Sequence, residues 1–281
     1  MTDRPIETPA ETGEREPQAA VEATALRRVF GSVVAVEGLD LTVKPGEIFG
    51  LLGSNGAGKS TTIKMLTTLL PPTSGTARVA GWDVSTEARR VRTAIGYVPQ
   101  MLSADGGLTG RENLALSARL YRLPREERAA GIERALDFMD LESAADRLVR
   151  TYSGGMIRRL EVAQAMLHRP QVLFLDEPTI GLDPVARRAV WERLRELRES
   201  EGVTIFLTTH DMEEADELCD RLAILHRGRP AVLGRPAGLK AAIGPDADLD
   251  DVFIAAVGST IQEGGSYGDV SKVRRTAKRL G

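Results

Sequence analysis

The sequence predicts an α/β fold in which a parallel sheet is interrupted by a helical insertion. Short apolar runs of the length found in buried parallel strands are spaced along the chain, at Ile48–Leu52, Val172–Leu175 and Val203–Leu207. Helical patterns with an apolar stripe alternate with these runs, as they do in βαβ units. From about residue 101 to residue 167 strand signals are few, and long helical patterns occur instead, at Arg111–Leu120, Glu126–Met139 and Met156–Leu167.

The composition is that of a globular chain with no overall charge bias. The 281 residues suffice for one large domain or two small ones, and a hydrophobic content of 42% supports a sizeable core. With 37 basic and 40 acidic residues the net charge is −3, which offers no argument for a nucleic-acid partner. The single cysteine, Cys219, excludes an intramolecular disulfide and a cysteine-rich metal site. It fits a reducing cytoplasm and is interpreted as a packed helix residue.

The two ends of the chain differ from its middle. No apolar run approaches the roughly 18 residues of a membrane span, and the N-terminus has no apolar signal core. We therefore expect a soluble protein unless a partner holds it at a membrane. Residues 1–22 are rich in Glu, Pro, Thr and Ala and predict a disordered tail before a domain spanning residues 23–258. Residues 259–281 predict a solvated basic tail, with contact to anionic lipid or nucleic acid as the alternative.

Further strand signals lie on both sides of the insertion. The pattern becomes β from Ala23 onward. Separate strands are predicted at Val33–Val36, Leu39–Val43, Thr76–Ala80 and Ile95–Gln100, the last with a glutamine at its end. Late in the chain, Leu222–Leu225 and Ala231–Leu233 predict a pair of strands joined by the turn at Arg227 and Gly228.

The most informative stretch follows Ile48–Leu52 and precedes a helical pattern at Thr62–Leu70. Its residues are Gly53, Ser54, Asn55, Gly56, Ala57, Gly58, Lys59, Ser60 and Thr61. This run fits the phosphate-binding loop pattern, whose glycines let backbone N–H groups surround anionic oxygens at the start of a helix. Lys59 can reach the outer phosphates of a nucleotide, and the Ser60 hydroxyl can hold Mg²⁺. The alternative is a Gly-rich turn that matches by chance, and the flanking strand and helix disfavour it.

A pair of carboxylates follows the apolar run at Val172–Leu175. This strand is expected to place Asp176 and Glu177 at the edge of the sheet, beside the phosphate-binding loop. Asp176 is suited to hold Mg²⁺ and offset phosphate charge, and Glu177 is then free to orient or deprotonate an attacking water. Such a base is what a hydrolase needs and a kinase does not. The alternative is a pair of solvated acids after a core strand.

A second anion cradle is predicted at Ser153, Gly154 and Gly155, where Ser-Gly-Gly opens a helical pattern. A chain with two half-sites is explained if two copies meet head to tail, each completing the other's site. A later helix is predicted to begin after Asp183, which reads as its N-cap because Pro184 takes the first helical position.

Taken in order, these motifs resemble those of the ATP-binding subunits of ABC transporters, over about residues 23–258. The matching segments are Gly53–Thr61, Tyr97–Gln100, Tyr152–Met156, Val172–Glu177, Gly181–Asp183 and His210. The resemblance implies a P-loop NTPase core with a mixed sheet, an antiparallel β subdomain and a helical insertion.

The same resemblance assigns further residues to the site. It implies that Phe30 stacks on adenine, that Asp183 belongs to the ATP site, and that Gln100 contacts Mg²⁺ and senses a transmembrane partner. It also implies that His210 contacts the γ-phosphate as a catalytic residue alongside Glu177. From the residues alone, His210 reads instead as a structural histidine at the end of a strand.

Two features refine the resemblance. The common signature is Leu-Ser-Gly-Gly-Gln, whereas here Tyr152 and Met156 flank the Ser-Gly-Gly core. Residues 158–161 (Arg-Arg-Leu-Glu) and the segment 248–258 are similar to the daunorubicin-resistance drug-export ATPases. The segment 248–258 also fits a capping helix with Leu249, Val252 and Phe253 toward the core.

The implied function is an ATPase that binds ATP and Mg²⁺ and powers an exporter of drugs, antibiotics or lipid-like cargo. The implied partners are a membrane-spanning permease on a separate chain and a second copy of this chain, at the cytoplasmic face of the membrane, with no nucleic acid. The alternative is a non-transport ABC ATPase that acts on nucleic acid or the ribosome. A phosphoryl-transfer kinase is disfavoured by Glu177 together with the Ser-Gly-Gly turn.

Overall fold

The computed structural model describes residues 19–261. The predictions for residues 1–18 and for the basic segment within 262–281 concern parts of the chain outside this range. Within residues 19–261, no helix is both long enough and apolar enough to pass through a bilayer.

The larger of the two sheets is mixed and has six strands within the described residues. In spatial order they are β10 (Arg229–Gly234), β9 (Arg221–His226), β3 (Ile48–Leu52), β8 (Thr204–Thr209), β7 (Val172–Asp176) and β6 (Ile95–Val98). All pairs are parallel except β10 with β9, which form the predicted antiparallel pair. Every residue of β3, β7 and β8 is buried, as continuous apolar runs covered on both faces require. This confirms the predicted mixed α/β core.

The smaller sheet is antiparallel, as the family resemblance implies. Its strands, in spatial order, are β2 (Val33–Val43), β1 (Val21–Phe30), β4 (Ser74–Val79) and β5 (Trp82–Asp83). Strand β1 begins two residues before the domain boundary predicted at Ala23, because Val21 is buried between Val43 and Val79. The two runs predicted from Val33 to Val43 are one strand, whose alternation is interrupted by an irregular register and by Gly38 at φ 65°.

The described residues form nine α-helices, three of which the sequence did not predict. The helices are α1 (Lys59–Leu66), α2 (Ala88–Ala94), α3 (Gly110–Leu120), α4 (Arg125–Phe138), α5 (Gly154–Met166), α6 (Pro184–Glu201), α7 (Met212–Leu218), α8 (Pro236–Ile243) and α9 (Leu249–Ile261). The unpredicted α2, α7 and α8 are only seven or eight residues long, too short to show a clear helical period. Helix α1 starts at Lys59 rather than Thr62 and ends before Thr68, whose φ is 64°.

Helices α3, α4 and α5 are the helical insertion between β6 and β7. They share one apolar core with the sheet, in which Leu160 of α5 packs in a cluster with Leu173 of β7 and Trp191 of α6. A second core lies between the two sheets and includes Phe49, Phe174 and Phe206. The insertion is therefore packed onto the nucleotide-binding sheet and is continuous with it.

The late segments close the first core. Leu249 and Val252 of α9 are buried and Phe253 is partly buried, which confirms the predicted capping helix, although α9 extends past residue 258 to Ile261. Cys219 lies just after the end of α7, not within a helix, and its Sγ packs against Gly50 of β3. Burial, the largest cause, raises the pKa of this thiol well above its ordinary value.

Candidate functional site

The phosphate-binding loop connects β3 directly to α1 and forms the wall of an open cavity of about 390 Å³. Glycines are required at both of its ends. A Cβ on Gly53 would lie 2.6 Å from the carbonyl oxygen of Leu225, and a Cβ on Gly58 would lie 2.5 Å from that of Ala35. Gly58 also has φ 108°, a conformation that side chains disfavour. The loop therefore packs against neighbouring backbone while its other face lines the cavity.

Lys59, the first residue of α1, is directed back into the loop. Its side chain is buried, and Nζ donates to the carbonyl oxygens of Gly53 at 2.7 Å and Ser54 at 3.3 Å. Nζ also lies 3.1 Å from Oε1 of Glu177, which makes a buried ion pair. The Lys59 ammonium is therefore paired with a carboxylate at the cavity wall. A phosphate group carries the same sign of charge as this carboxylate.

Asp176 ends β7 and meets the loop residue Ser60, as predicted. Its Oδ1 accepts hydrogen bonds from Ser60 Oγ at 3.1 Å and from Thr208 Oγ1 at 2.6 Å. The parallel register pairs Asp176 with Thr208, which explains the second contact. The negative charge of Asp176 also acts on Tyr97. Burial, the largest cause, raises the pKa of Tyr97 to about 12, and the charge of Asp176 adds to this rise.

The oxygens of Ser60 and Asp176 fit a magnesium ion. Mg²⁺ is usually held by one or two carboxylates together with substrate phosphates, not by an all-protein cage. Among residues 19–261, no cluster of three or more His, Cys, Asp or Glu side chains is placed to hold a metal ion. Gln100, also predicted as a ligand, directs its amide Nε2 toward Oε2 of Glu177 at 3.3 Å.

Glu177 is where the predicted residues converge. Its carboxylate contacts Lys59, Gln100 and, at 3.2 Å, Nδ1 of His210, the residue that follows β8. Its backbone adopts φ 50°, and its N–H donates to both oxygens of Thr208. In this structure these neighbours engage both carboxylate oxygens of Glu177. Left-handed backbone at a non-glycine residue is strained, so the surrounding contacts must hold Glu177 in this conformation.

Three predicted residues lie at the start of α5, away from this convergence. Ser153 caps α5 by accepting from the N–H of Met156 at 3.3 Å, which confirms the predicted Ser-Gly-Gly helix start. Positions 154 and 155 approach Leu182 and Ala186 at the start of α6. None of the three is among the residues that line the loop's cavity. This geometry leaves the Ser-Gly-Gly turn outside the phosphate-binding loop of its own chain.

Phe30 and Asp183 are also separate from the cavity. Phe30, at the end of β1, is 45% exposed and lies 4.6 Å beneath the guanidinium of Arg28. Oδ1 of Asp183 accepts from the N–H groups of Val185 at 3.0 Å and Ala186 at 2.9 Å, which confirms the predicted N-cap of α6.

Two buried groups near Glu177 were not predicted. Thr208 joins Asp176 to the backbone of Glu177, and its position at the end of a neighbouring parallel strand is a signal that the sequence did contain. Glu214, on α7, accepts from Thr179 Oγ1 at 2.7 Å and from Trp191 Nε1 at 3.0 Å. No local pattern marks Glu214, since its donors come from other elements.

Comparison with known proteins identifies the family. The ABC transporter family model matches residues 36–180. The chain is 48% identical to the daunorubicin/doxorubicin resistance ATP-binding protein DrrA of Streptomyces peucetius, over 82% of this chain and 69% of that protein. It is 50% identical to the Nod factor export ATP-binding protein I of Sinorhizobium fredii, over 78% of this chain and 64% of that protein.

Solved structures agree with the sequence relatives. An ATP-binding subunit of an ABC transporter superimposes with a TM-score of 0.75 at 31% identity, covering 84% of this chain and 99% of the other. The ATP-binding cassette MJ0796, a dimer bound to ADP and Pi after hydrolysis, superimposes with a TM-score of 0.68 at 27% identity. The match covers 76% of this chain and 98% of the other. The chain belongs to the ABC transporter family, as an ATP-binding subunit with ATPase activity.

Proposed function

We propose that this chain powers an exporter by hydrolysing ATP at the cytoplasmic face of a membrane, through a permease on a separate chain. The observation that carries the proposal is the convergence of Lys59, Gln100 and His210 on Glu177, at the wall of the phosphate-binding cavity. A base, a cation and two polar groups around one phosphate site are the components of phosphoryl transfer to water.

ATP binding uses the loop at residues 53–61. Its N–H groups and the start of α1 receive the phosphates, and Phe30 and Asp183 stay assigned to the ATP site by family resemblance. Ser60, Asp176 and Gln100 are assigned to Mg²⁺, which when bound neutralises charge on the phosphate oxygens. Lys59 exchanges the carboxylate of Glu177 for the outer phosphates, so that substrate binding itself releases the base.

Once Lys59 has moved to the phosphates, Glu177 orients or deprotonates the attacking water. His210 remains beside Glu177 at the end of β8 and contacts the γ-phosphate. Positioning and charge stabilisation account for most of the catalysis of phosphoryl transfer, so these groups need little movement during the chemical step.

The site is completed by a second copy of the chain. Ser153, Gly154 and Gly155 lie outside the cavity of their own loop, and a head-to-tail dimer brings them to the γ-phosphate bound by the other copy. The dimeric form of the related cassette MJ0796 supports this arrangement. In a dimer of this kind each copy contributes half of each site.

The names of two relatives support an export role. One is a daunorubicin/doxorubicin resistance protein and another a Nod factor export protein. We infer an amphipathic drug or a lipid-like molecule as cargo, and a permease that contacts the loop after Gln100. A non-transport ATPase acting on nucleic acid or the ribosome is the alternative, and a membrane partner that raises the rate of ATP hydrolysis distinguishes the two.

The decisive variant is Glu177→Gln, which keeps the shape of the side chain and removes the base. Loss of a general base typically lowers a rate by about 10²–10⁴-fold. We expect phosphate release to fall by at least about 100-fold while ATP still binds, so that a closed dimer accumulates in size-exclusion chromatography with ATP and Mg²⁺. The matched control is Glu192→Gln, an exposed position on α6. Retained phosphate release in Glu177→Gln would refute the role of this residue.

A further inference from the structure

Helix α5, which starts at the Ser-Gly-Gly turn, carries a buried ion pair to which the proposed chemistry gives no task. Arg158 and Glu161 are 2% and 3% exposed, and Arg158 Nη1 lies 3.0 Å from Glu161 Oε2. Both residues belong to the Arg-Arg-Leu-Glu segment that the sequence singled out. Their contacts outside the helix explain why two charges are buried there.

Arg158 holds the first part of the loop that follows β6. Its Nη1 donates to the carbonyl oxygen of Pro99 at 2.8 Å, and its Nη2 donates to that of Gln100 at 2.9 Å. The planar guanidinium supplies both donors in one fixed geometry, which a lysine ammonium does not reproduce. One side chain therefore orients two successive peptide groups beside the catalytic site.

Glu161 holds the other end of the same loop. Its Oε1 accepts from the N–H and, at 3.0 Å, from the hydroxyl of Ser103, and from the N–H of Ala104 at 3.3 Å. We call the Arg158–Glu161 pair together with these bonds the clasp. Between its two ends, Met101 and Leu102 are 82% and 52% exposed.

Burying the two charges of the clasp costs free energy, and in return the clasp fixes the backbone of the loop. Burial, the largest cause, lowers the pKa of Arg158, since the charged guanidinium is removed from water. Apolar residues of similar size commonly stabilise a fold as well as a buried ion pair does. The pair differs from them in fixing the direction of polar backbone groups, here those of residues 99–104, against α5.

We propose that the clasp couples the two ATP sites of the dimer. This inference rests on the proposed function, in which the start of α5 meets the ATP held by the other copy. The clasp joins that helix to Gln100, whose amide lies 3.3 Å from Glu177 in its own site. When α5 shifts on contact with the second ATP, Gln100 shifts with it, and each site responds to occupancy of the other.

The test uses the double variant Arg158→Met/Glu161→Leu, which replaces the pair with apolar side chains, so that neither member stays behind as a buried charge without the other. Hydrogen exchange of the Ser103 and Ala104 amides shows whether the clasp is lost, and we expect at least about tenfold faster exchange than in the wild type. The matched control is Arg159→Met, because Arg159 lies on the same helix and donates instead to the carbonyl oxygen of Met139.

The functional readout is the dependence of the hydrolysis rate on ATP concentration. For two coupled sites we expect a Hill coefficient between about 1.5 and 2 in the wild type and Arg159→Met, falling to about 1 in the double variant. ATP affinity of the dilute monomer is expected to change by less than about twofold, because the phosphate-binding loop is untouched.

A conservative variant guards against a folding defect. Arg158→Lys keeps a positive charge beside Glu161 but cannot donate to the carbonyl oxygens of Pro99 and Gln100 in the geometry of a guanidinium. Its Hill coefficient is therefore expected to lie between those of the wild type and the double variant. A wild-type Hill coefficient in a folded double variant with rapidly exchanging loop amides would overturn the proposal, as would a coefficient of 1 in the wild type. If Glu177→Gln formed no ATP-bound dimer, the proposed function itself would fail; if it dimerised normally, the failure would belong to the clasp alone.

Discussion

At the scale of single residues, the catalytic groups are linked by buried charge. The side chains of Lys59 and Glu177 are 4% and 5% exposed, and each is the nearest opposite charge to the other. Removing one partner of a buried pair leaves the other uncompensated, which destabilises a fold more than replacing both. Lys59 therefore has two separable effects, one on ATP affinity and one on stability.

We expect Lys59→Ala to weaken ATP binding by roughly 10–100-fold, because a hydrogen bond to a charged group contributes about 1.5–3 kcal/mol. Affinity for a fluorescent nucleotide analogue measures this loss, and Lys64→Ala, an exposed change on α1, is the control. The variant Lys59→Met/Glu177→Gln removes both charges, so it separates lost affinity from lost stability. Unchanged affinity in Lys59→Ala would count against the site.

Glu214 is the second buried acid near the site, and its environment makes it sensitive to pH. Burial, the largest cause, raises its pKa above the ordinary 4.5, although hydrogen bonds from Thr209, Thr179 and Trp191 act in the opposite direction. Above pH 4.5 the unfolded chain releases this proton while the folded chain retains it. The folded state then binds more protons, so this group's contribution to stability falls as pH rises.

Glu214→Gln is expected to keep an oxygen acceptor for Thr179 and Trp191 and to remove the titration. Its melting temperature should therefore rise relative to the wild type as the pH increases from 4 to 8, with the smallest difference at the acid end. Thermal unfolding followed by circular dichroism measures this trend. A difference that does not vary with pH would show that burial of the charge is not what the substitution relieves.

Among the secondary-structure elements, helix α6 begins at a carboxylate, Asp183, that has both a structural role and a proposed role at the ATP site. Asp183 satisfies two N–H groups at the helix start, and loss of such a cap costs about 0.5–2 kcal/mol. The family resemblance also assigns Asp183 to the ATP site. Asparagine caps a helix as well as aspartate but carries no charge, so it distinguishes the two uses.

We expect Asp183→Ala to lower the free energy of unfolding by about 1 kcal/mol in urea titrations, and Asp183→Asn to leave it nearly unchanged. Glu199→Ala, at an exposed position on the same helix, is the control. If Asp183→Asn slows ATP hydrolysis at unchanged stability, its charge acts at the ATP site. If both variants are as stable as the wild type, the cap is not a source of stability.

Elements defined by local sequence were predictable, and those defined by packing were not. Strand β3 and the start of the loop at Gly53 were predicted at their observed positions, because continuous burial and a glycine pattern are local signals. The irregularity at Gly38 was not, since it depends on pairing between β1 and β2. In the site, Asp176 and Glu177 follow a recognisable strand, whereas Glu214 is defined by donors 23 and 35 residues away.

At the scale of the whole molecule, the helical insertion connects the ATP site to an exposed apolar surface. The insertion shares a core with the sheet, so it is positioned relative to Glu177 by packing as well as by the clasp. Met101 and Leu102 are at the surface between Gln100 and Ser103. Exposed apolar side chains supported by a fixed backbone are what a protein partner can bury.

We expect the double variant Met101→Ser/Leu102→Ser to keep the ATPase activity of the isolated chain and to lose stimulation by the permease. The change costs little stability, because these side chains are already exposed, and it removes apolar area from the surface proposed to contact the membrane partner. Hydrolysis is measured with the chain alone and with a candidate permease in vesicles. The matched control is Ile254→Ser, 56% exposed on α9. Full stimulation of the double variant would place the permease contact elsewhere on the molecule, and loss of stimulation in Ile254→Ser would show that the effect is not specific to this loop.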